Sequence, residues 1–250
     1  MSDLFNCRTI IRSTVVLIFA SAVFMAEPSI AEFKTTVKGT IYPKDESPLK
    51  TVLFTFERSE ETKDGKTIVH RNYKDASGKI AIKEVLTYEN GRVVELVLEQ
   101  IQLSEKGRFY LKDGRAHFEY KKNGEKDEDD EKYKDNLLVS DEVVPYLRKN
   151  WSKLLEGNDV DIRYVVLDRK ETVGFTFKLE KKTTWEGKEA ILIKMSPSSI
   201  FIKALVKPLF FTMTIGDKQL QRLDGRTTPK IKTNNEWKDL DAVTLYDLKD

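Results

Sequence analysis

Cysteine is all but missing from this chain. Its one cysteine, Cys7, precedes every segment whose pattern reads as folded structure. From residue 8 onward there is no disulfide, no thiolate metal site and no cysteine nucleophile. Histidine is nearly as scarce. His70 and His117 each fall in a predicted strand, and no H-x-x-x-H or similar spacing sets them on one metal ion. The G-x-S-x-G elbow, the P-loop and the G-x-G-x-x-G fingerprint are absent. Carboxylates are plentiful, but a hydrolytic pair is defined by its separation in space, so the sequence singles out none. An excess of one charge is missing too: 43 Lys and Arg face 41 Asp and Glu, for a net charge of +2. That balance argues against a dedicated nucleic-acid binder, which needs a basic face. The composition predicts a non-enzymatic protein with no cofactor, no metal and no nucleic-acid partner.

What is present begins with a leader-like N-terminus. Arg8 and Arg12 give a basic start. Thr14 to Ala26 (TVVLIFASAVFMA) follows without a charge, and Ser29-Ile30-Ala31 offers small residues where a signal peptidase reads. This is the order of a secretory signal peptide. A spanning helix needs about 20 apolar residues, and Glu27 and Pro28 interrupt any extension of this run, so no stable transmembrane anchor is expected. Cys7 precedes the apolar run instead of closing it, which argues against lipidation there. The reading is a signal peptide over residues 1–31 and a single β-rich domain over residues 32–250, periplasmic or secreted after cleavage near Ala31.

Beyond the leader, the chain reads as strand after strand. Phe33 to Tyr42 and Thr51 to Arg58 alternate apolar and polar residues, the mark of a strand with one buried face. Gly78 to Tyr88 and Arg92 to Leu103 flank Asn90-Gly91, and Arg108 to Leu111 and Arg115 to Tyr120 flank Asp113-Gly114. Asn-Gly and Asp-Gly between alternating runs are strong hairpin signals. Gly124 to Asp135 (GEKDEDDEKYKD) has no apolar period and reads as an exposed acidic loop. It lacks the D-x-[DN]-x-[DN]-G order of a calcium loop. Strands resume at Asp161 to Leu167, Thr172 to Lys181, Ala190 to Met195, Leu209 to Ile215, Gln219 to Leu223 and Val243 to Leu248.

One main helix interrupts the strands. Pro145 fits its first position, Leu147, Trp151, Leu154 and Leu155 recur at helical spacing, and Gly157 can end it. A short second helix is predicted over Ile200 to Val206, with Pro208 ending it. The fold class is mainly β (α+β): a large curved antiparallel sheet or half-barrel of ten to thirteen strands, with one main and one short helix. Pro197 to Met213 (PSSIFIKALVKPLFFTM) is more apolar than one helix face and one strand face require. Part of it is therefore read either as core or as the wall of an apolar ligand cavity. The candidate wall residues are Trp151, Leu155, Phe201, Leu205, Phe210 and Phe211. Arg163, Arg169 and Arg226 are candidates to orient an anion, or else to pair with Asp161, Asp168 and Glu171.

Val143 to Pro229 includes VVPYLRKNWSKLLEGNDVDIRYVV, ETVGFTFKL, IKMSPSSIFIKALVKPLFFTM and LQRLDGRTTP. In order and texture this stretch resembles the DUF3108 type of exported bacterial β-protein and, more distantly, the lipoprotein carriers LolA and LolB. The resemblance implies an open half-barrel closed by helices, with an apolar cavity for acyl chains. It carries no catalytic motif. The expected partner is a lipid or other acyl ligand, and the alternative is an envelope protein bound in an assembly or scaffold role. For the leader, the expected outcome is an exported form whose intact mass corresponds to a chain beginning at Glu32. An exported protein retaining residues 1–31 would contradict the reading.

Overall fold

The computed structural model describes residues 34–199 and 206–247. The predicted leader, and the predicted short helix over Ile200 to Val206 apart from Val206, lie outside the described residues.

The first half is a meander. Its strands are β1 (Lys34–Pro43), β2 (Phe54–Lys63), β3 (Lys66–Asp75), β4 (Ile80–Glu89), β5 (Arg92–Gln100), β6 (Glu105–Lys112), β7 (Arg115–Lys122) and β8 (Glu125–Lys132). Asp64-Gly65, Asn90-Gly91, Asp113-Gly114 and Asn123-Gly124 each place two successive residues at positive φ. That geometry matches the right-handed strand twist and suits Asn or Asp followed by Gly. A two-residue strand, β9 (Leu137–Leu138), leads to the helices α1 (Val143–Lys149) and α2 (Trp151–Leu155). The second meander is β10 (Val160–Val166), β11 (Glu171–Trp185), β12 (Lys188–Pro197), β13 (Leu209–Thr214), β14 (Leu220–Thr233) and β15 (Glu236–Asp247).

All fifteen strands form one curved sheet in the order β8-β7-β6-β5-β4-β3-β2-β1-β15-β14-β13-β12-β11-β10-β9. The first and last strands thus pair at its centre, with Lys38 opposite Asp247 and Pro43 opposite Ala242. The pairing is antiparallel throughout, except that β9 runs parallel to β10. No ladder joins the ends β8 and β9 among the described residues, so the sheet is unclosed. Side chains tie β8 to the other end instead: Lys170 meets Asp127 at 2.7 Å, and Glu131 accepts from Thr172 and pairs with Arg163. Gly107 on β6 permits this approach. A Cβ there would lie 3.0 Å from the Leu167 Cδ1 and 3.1 Å from the Tyr120 ring.

Two apolar clusters fill the concave side. One joins β1 to β7 with Leu137, Val139, Val165 and Leu167. The other packs Val143, Leu147, Trp151 and Leu154 of the helices onto β10 to β14. Tyr246 of β15 touches both clusters.

Three expectations need correction. The acidic stretch is not a loop: residues 125–132 form β8, paired along its length with β7. It shows no alternation because it is an edge strand with almost every side chain exposed. Charges on such an edge discourage pairing with other chains. The main helix is not continuous, since Asn150 (φ −100, ψ 18) separates α1 from α2 and turns its side-chain amide back to the Tyr146 carbonyl at 3.0 Å. The sheet is larger than ten to thirteen strands and carries one parallel pair.

Gly107→Val should lower stability by about 1–3 kcal/mol, the usual cost of overpacking, read as a drop in Tm. Leu167→Ala in the same chain should recover part of that loss. Additive effects of the two substitutions would contradict the contact.

Candidate functional site

Between the two clusters lies a cavity of about 980 Å³. Its apolar wall comes from both halves of the sheet. Ile41, Phe56, Leu96 and Leu98 belong to the first half, and Val173, Phe175, Met195, Phe211 and Leu223 to the second. Exposed residues Lys122, Asn123, Asp168, Arg169 and Trp237 line one end, so the cavity meets solvent there. Trp237 is 42% exposed, unusual for so large an apolar side chain.

The inward face of the first meander is not uniformly apolar. Arg58 on β2, Arg71 on β3 and Glu84 on β4 follow one another in register across the sheet. They occupy the inward phase otherwise held by Phe56, Val69, Tyr73, Ile82 and Leu86. Two arginines directly opposite one another repel. Asp141, from the segment leading into α1, enters between them. Its carboxylate accepts from the Arg58 Nε at 2.9 Å and the Tyr88 hydroxyl at 2.7 Å, and lies 3.7 Å from the Arg71 Nε. Arg71 also meets Glu84 at 2.8 Å and donates to Ser140 and to the Tyr73 hydroxyl. Glu142 fixes the same segment by accepting from the backbone amides of Val93 and Val139, each at 3.1 Å.

Burial and pairing pull these groups in opposite directions. Burial disfavours the Asp141 carboxylate, but Arg71 and Arg58 outweigh it and hold the group below the usual carboxylate range. Burial pushes the Glu84 carboxyl up, against the pull of Arg71. It also raises the Tyr73 hydroxyl to about 12, so that this group stays protonated at neutral pH.

The structure distributes the sequence-predicted wall residues unevenly. Phe211 is buried and lines the cavity. Its neighbour Phe210, on the opposite face of β13, lies beneath the Lys194 ammonium. Trp151 and Leu155 pack in the helix-side cluster and are not among the cavity-lining residues. Phe201 and Leu205 fall outside the described residues. Arg169 pairs with Glu171 at 2.6 Å and Arg226 with Asp241 at 2.8 Å, while Arg163 donates to Thr172 at 2.8 Å instead of meeting Asp161. His117 stacks on Tyr110. No group of His, Cys, Asp and Glu able to hold a metal ion occurs among the described residues. Sequence reasoning missed the Arg58–Arg71–Glu84 row. Its available signal was charge at the apolar phase of three successive strands.

The folded-state value of Asp141 is depressed. Its contribution to stability is therefore complete above the unfolded carboxylate value of about 3.9 and is lost as pH falls through the lower folded value. Asp141→Asn should cost about 3–5 kcal/mol at pH 7, as breaking a buried pair does. The gap to the unsubstituted protein should begin to narrow below about pH 4 and close only below the lower folded value. Urea titrations at pH 7 and pH 3 measure both quantities, and an equal gap at the two values would contradict the pairing.

No family model matches the chain, and no curated protein matches it. The resemblance to DUF3108 proteins therefore gains no support from those comparisons. Among solved structures, the chain is similar to a β-barrel-like DUF1849 protein from Brucella abortus, with 10% identity and a TM-score of 0.40, covering 88% of this chain and 98% of that one. It is also similar to a DUF1329 family protein from Desulfovibrio piger, with 8% identity and a TM-score of 0.29, covering 88% and 84%. Likenesses at this level carry no argument about the site, which rests on its own geometry.

Proposed function

We propose that this is a non-enzymatic exported protein that holds an apolar chain, such as the acyl chain of a lipid, in the cavity between its two clusters. The observation that carries this reading is the cavity itself. A space of about 980 Å³ lies at the upper end of ordinary ligand pockets. Apolar side chains from both halves of one sheet form about half of its lining, polar side chains form the rest, and it is open at one end. Burying about ten methylenes contributes roughly 8 kcal/mol gross, which leaves a margin after the cost of ordering the chain.

The alternative, an assembly protein acting by strand addition, draws less support. The free edge at β8 carries Glu125, Asp127, Glu128, Asp129, Asp130 and Glu131, and clustered charge of this kind blunts an edge against pairing.

Native mass spectrometry with lipid extraction tests the proposal. The protein should carry, or take up on incubation, one long-chain lipid per chain. Leu223→Trp should reduce uptake at least tenfold while leaving the fold intact by circular dichroism, because Leu223 is a half-buried cavity-wall residue and not a core residue. A protein that takes up no lipid, or a variant that binds as the parent does, would overturn it.

A further inference from the structure

The cavity wall carries three polar side chains whose hydrogen bonding is incomplete. Arg71 is 9% exposed, Glu84 5% and Gln100 5%, and all three line the cavity. The Arg71 Nε, the Glu84 Oε2 and the Gln100 Nε2 are buried without a hydrogen-bond partner. The Glu84 Oε2 does sit 2.8 Å from an Arg71 nitrogen, but outside hydrogen-bonding alignment. Buried polar atoms in native proteins are nearly all satisfied, and each exception needs a reason.

The three side chains are neighbours. Arg71 pairs in register with Glu84, and Glu84 with Leu98, so Gln100 lies one inward position along β5 and diagonal to Glu84. The next inward polar group, Glu105, is already engaged: it accepts from the Tyr120 hydroxyl at 2.6 Å and pairs with Lys122 at 3.4 Å. The open valences therefore collect at Arg71, Glu84 and Gln100. Together they offer donors from the guanidinium and the amide, and acceptors from the carboxylate and the amide oxygen.

Charge decides what they can receive. Arg58 and Arg71 face Asp141 and Glu84, two cations against two buried anions, with the part-exposed Glu60 at the outer end of Arg58. An incoming carboxylate would stand beside two like charges where water is scarce. An incoming ammonium would stand beside two guanidiniums. Either carries a desolvation cost with no free countercharge to offset it. A neutral group that both donates and accepts can bond to these side chains without disturbing the balance.

We infer that the ligand's polar end is uncharged, bears both a hydrogen-bond donor and an acceptor, and seats on Arg71, Glu84 and Gln100. A hydroxyl-bearing ester or an amide has this chemistry. The inference rests on the reading that the cavity holds an apolar chain, and it adds which end is recognised and by what.

The test compares four delipidated-protein titrations at pH 7. The probes share one chain length: a monoacylglycerol, the fatty acid, an alkyl trimethylammonium, and an alkyl probe with no head group. The monoacylglycerol should bind at least tenfold tighter than either charged probe. Gln100→Leu should weaken the monoacylglycerol about tenfold, one hydrogen bond's worth. It should leave the headless probe unchanged, and the amide nitrogen it removes has no hydrogen-bond partner to lose. If the charged probes bind as tightly as the monoacylglycerol, or Gln100→Leu weakens every probe alike, the head-group assignment is wrong while the cavity reading stands. If no probe binds, the headless one included, the cavity reading fails and this inference with it.

Discussion

The architecture depends on one carboxylate placed between two arginines. Arg58 and Arg71 stand opposite each other on adjacent strands, an arrangement that like charges alone would push apart. Asp141 enters from the segment that leads from the β8 end of the sheet to the helices, and accepts from Arg58 and Tyr88. Its neighbours are held too. Ser140 accepts from Arg71, and Glu142 takes the Val93 and Val139 amides. The three residues before α1 are thereby fixed to the first meander, while the helix they introduce packs on the second. Replacing such a buried pair by apolar residues need not cost stability in general. Here its effect is positional: it sets where the helices begin.

A polar row on the inward face accounts for why the interior is not filled. An apolar inward face would draw the two clusters together until they met at native packing density. Arg71, Glu84, Gln100, Glu105 and Tyr120 instead run across β3 to β7 on the inward side and line the cavity. Apolar side chains from the opposite half cannot press onto these groups without stranding them unsolvated. The result is a space walled by apolar side chains from both halves and crossed by a polar stripe on the first. Its far end opens near Trp237, beside the exposed Lys122 and Arg169.

Much of the fold was legible because the chain states its turns plainly. Asn90-Gly91 and Asp113-Gly114 marked hairpins that the structure contains. Asn123-Gly124 carried the same signal, but the charged run behind it hid the strand, because an edge strand exposed on both faces has no apolar period to read. The helix was legible from Leu147, Trp151 and Leu154, all buried, whereas its break at Asn150 was not, since a side-chain amide bonding to a backbone carbonyl leaves no periodic trace. Of the candidate wall residues, Phe211 lines the cavity, while Trp151 and Leu155 pack in the helix-side cluster. The polar row was illegible in a single strand. It emerges only when the register brings Arg58, Arg71 and Glu84 side by side, and register is a property of the whole sheet.

The central claim is that the space between the clusters accepts an apolar chain with its polar end toward Arg71. A crystal structure of the protein soaked with a long-chain monoacylglycerol brominated at the chain terminus tests this directly. The account predicts anomalous density for bromine among apolar side chains of the cavity wall, and the glycerol end within hydrogen-bonding distance of Arg71, Glu84 or Gln100. A cavity collapsed by contact between Leu98 and Phe211, or occupied by ordered water with no bromine signal, would contradict it.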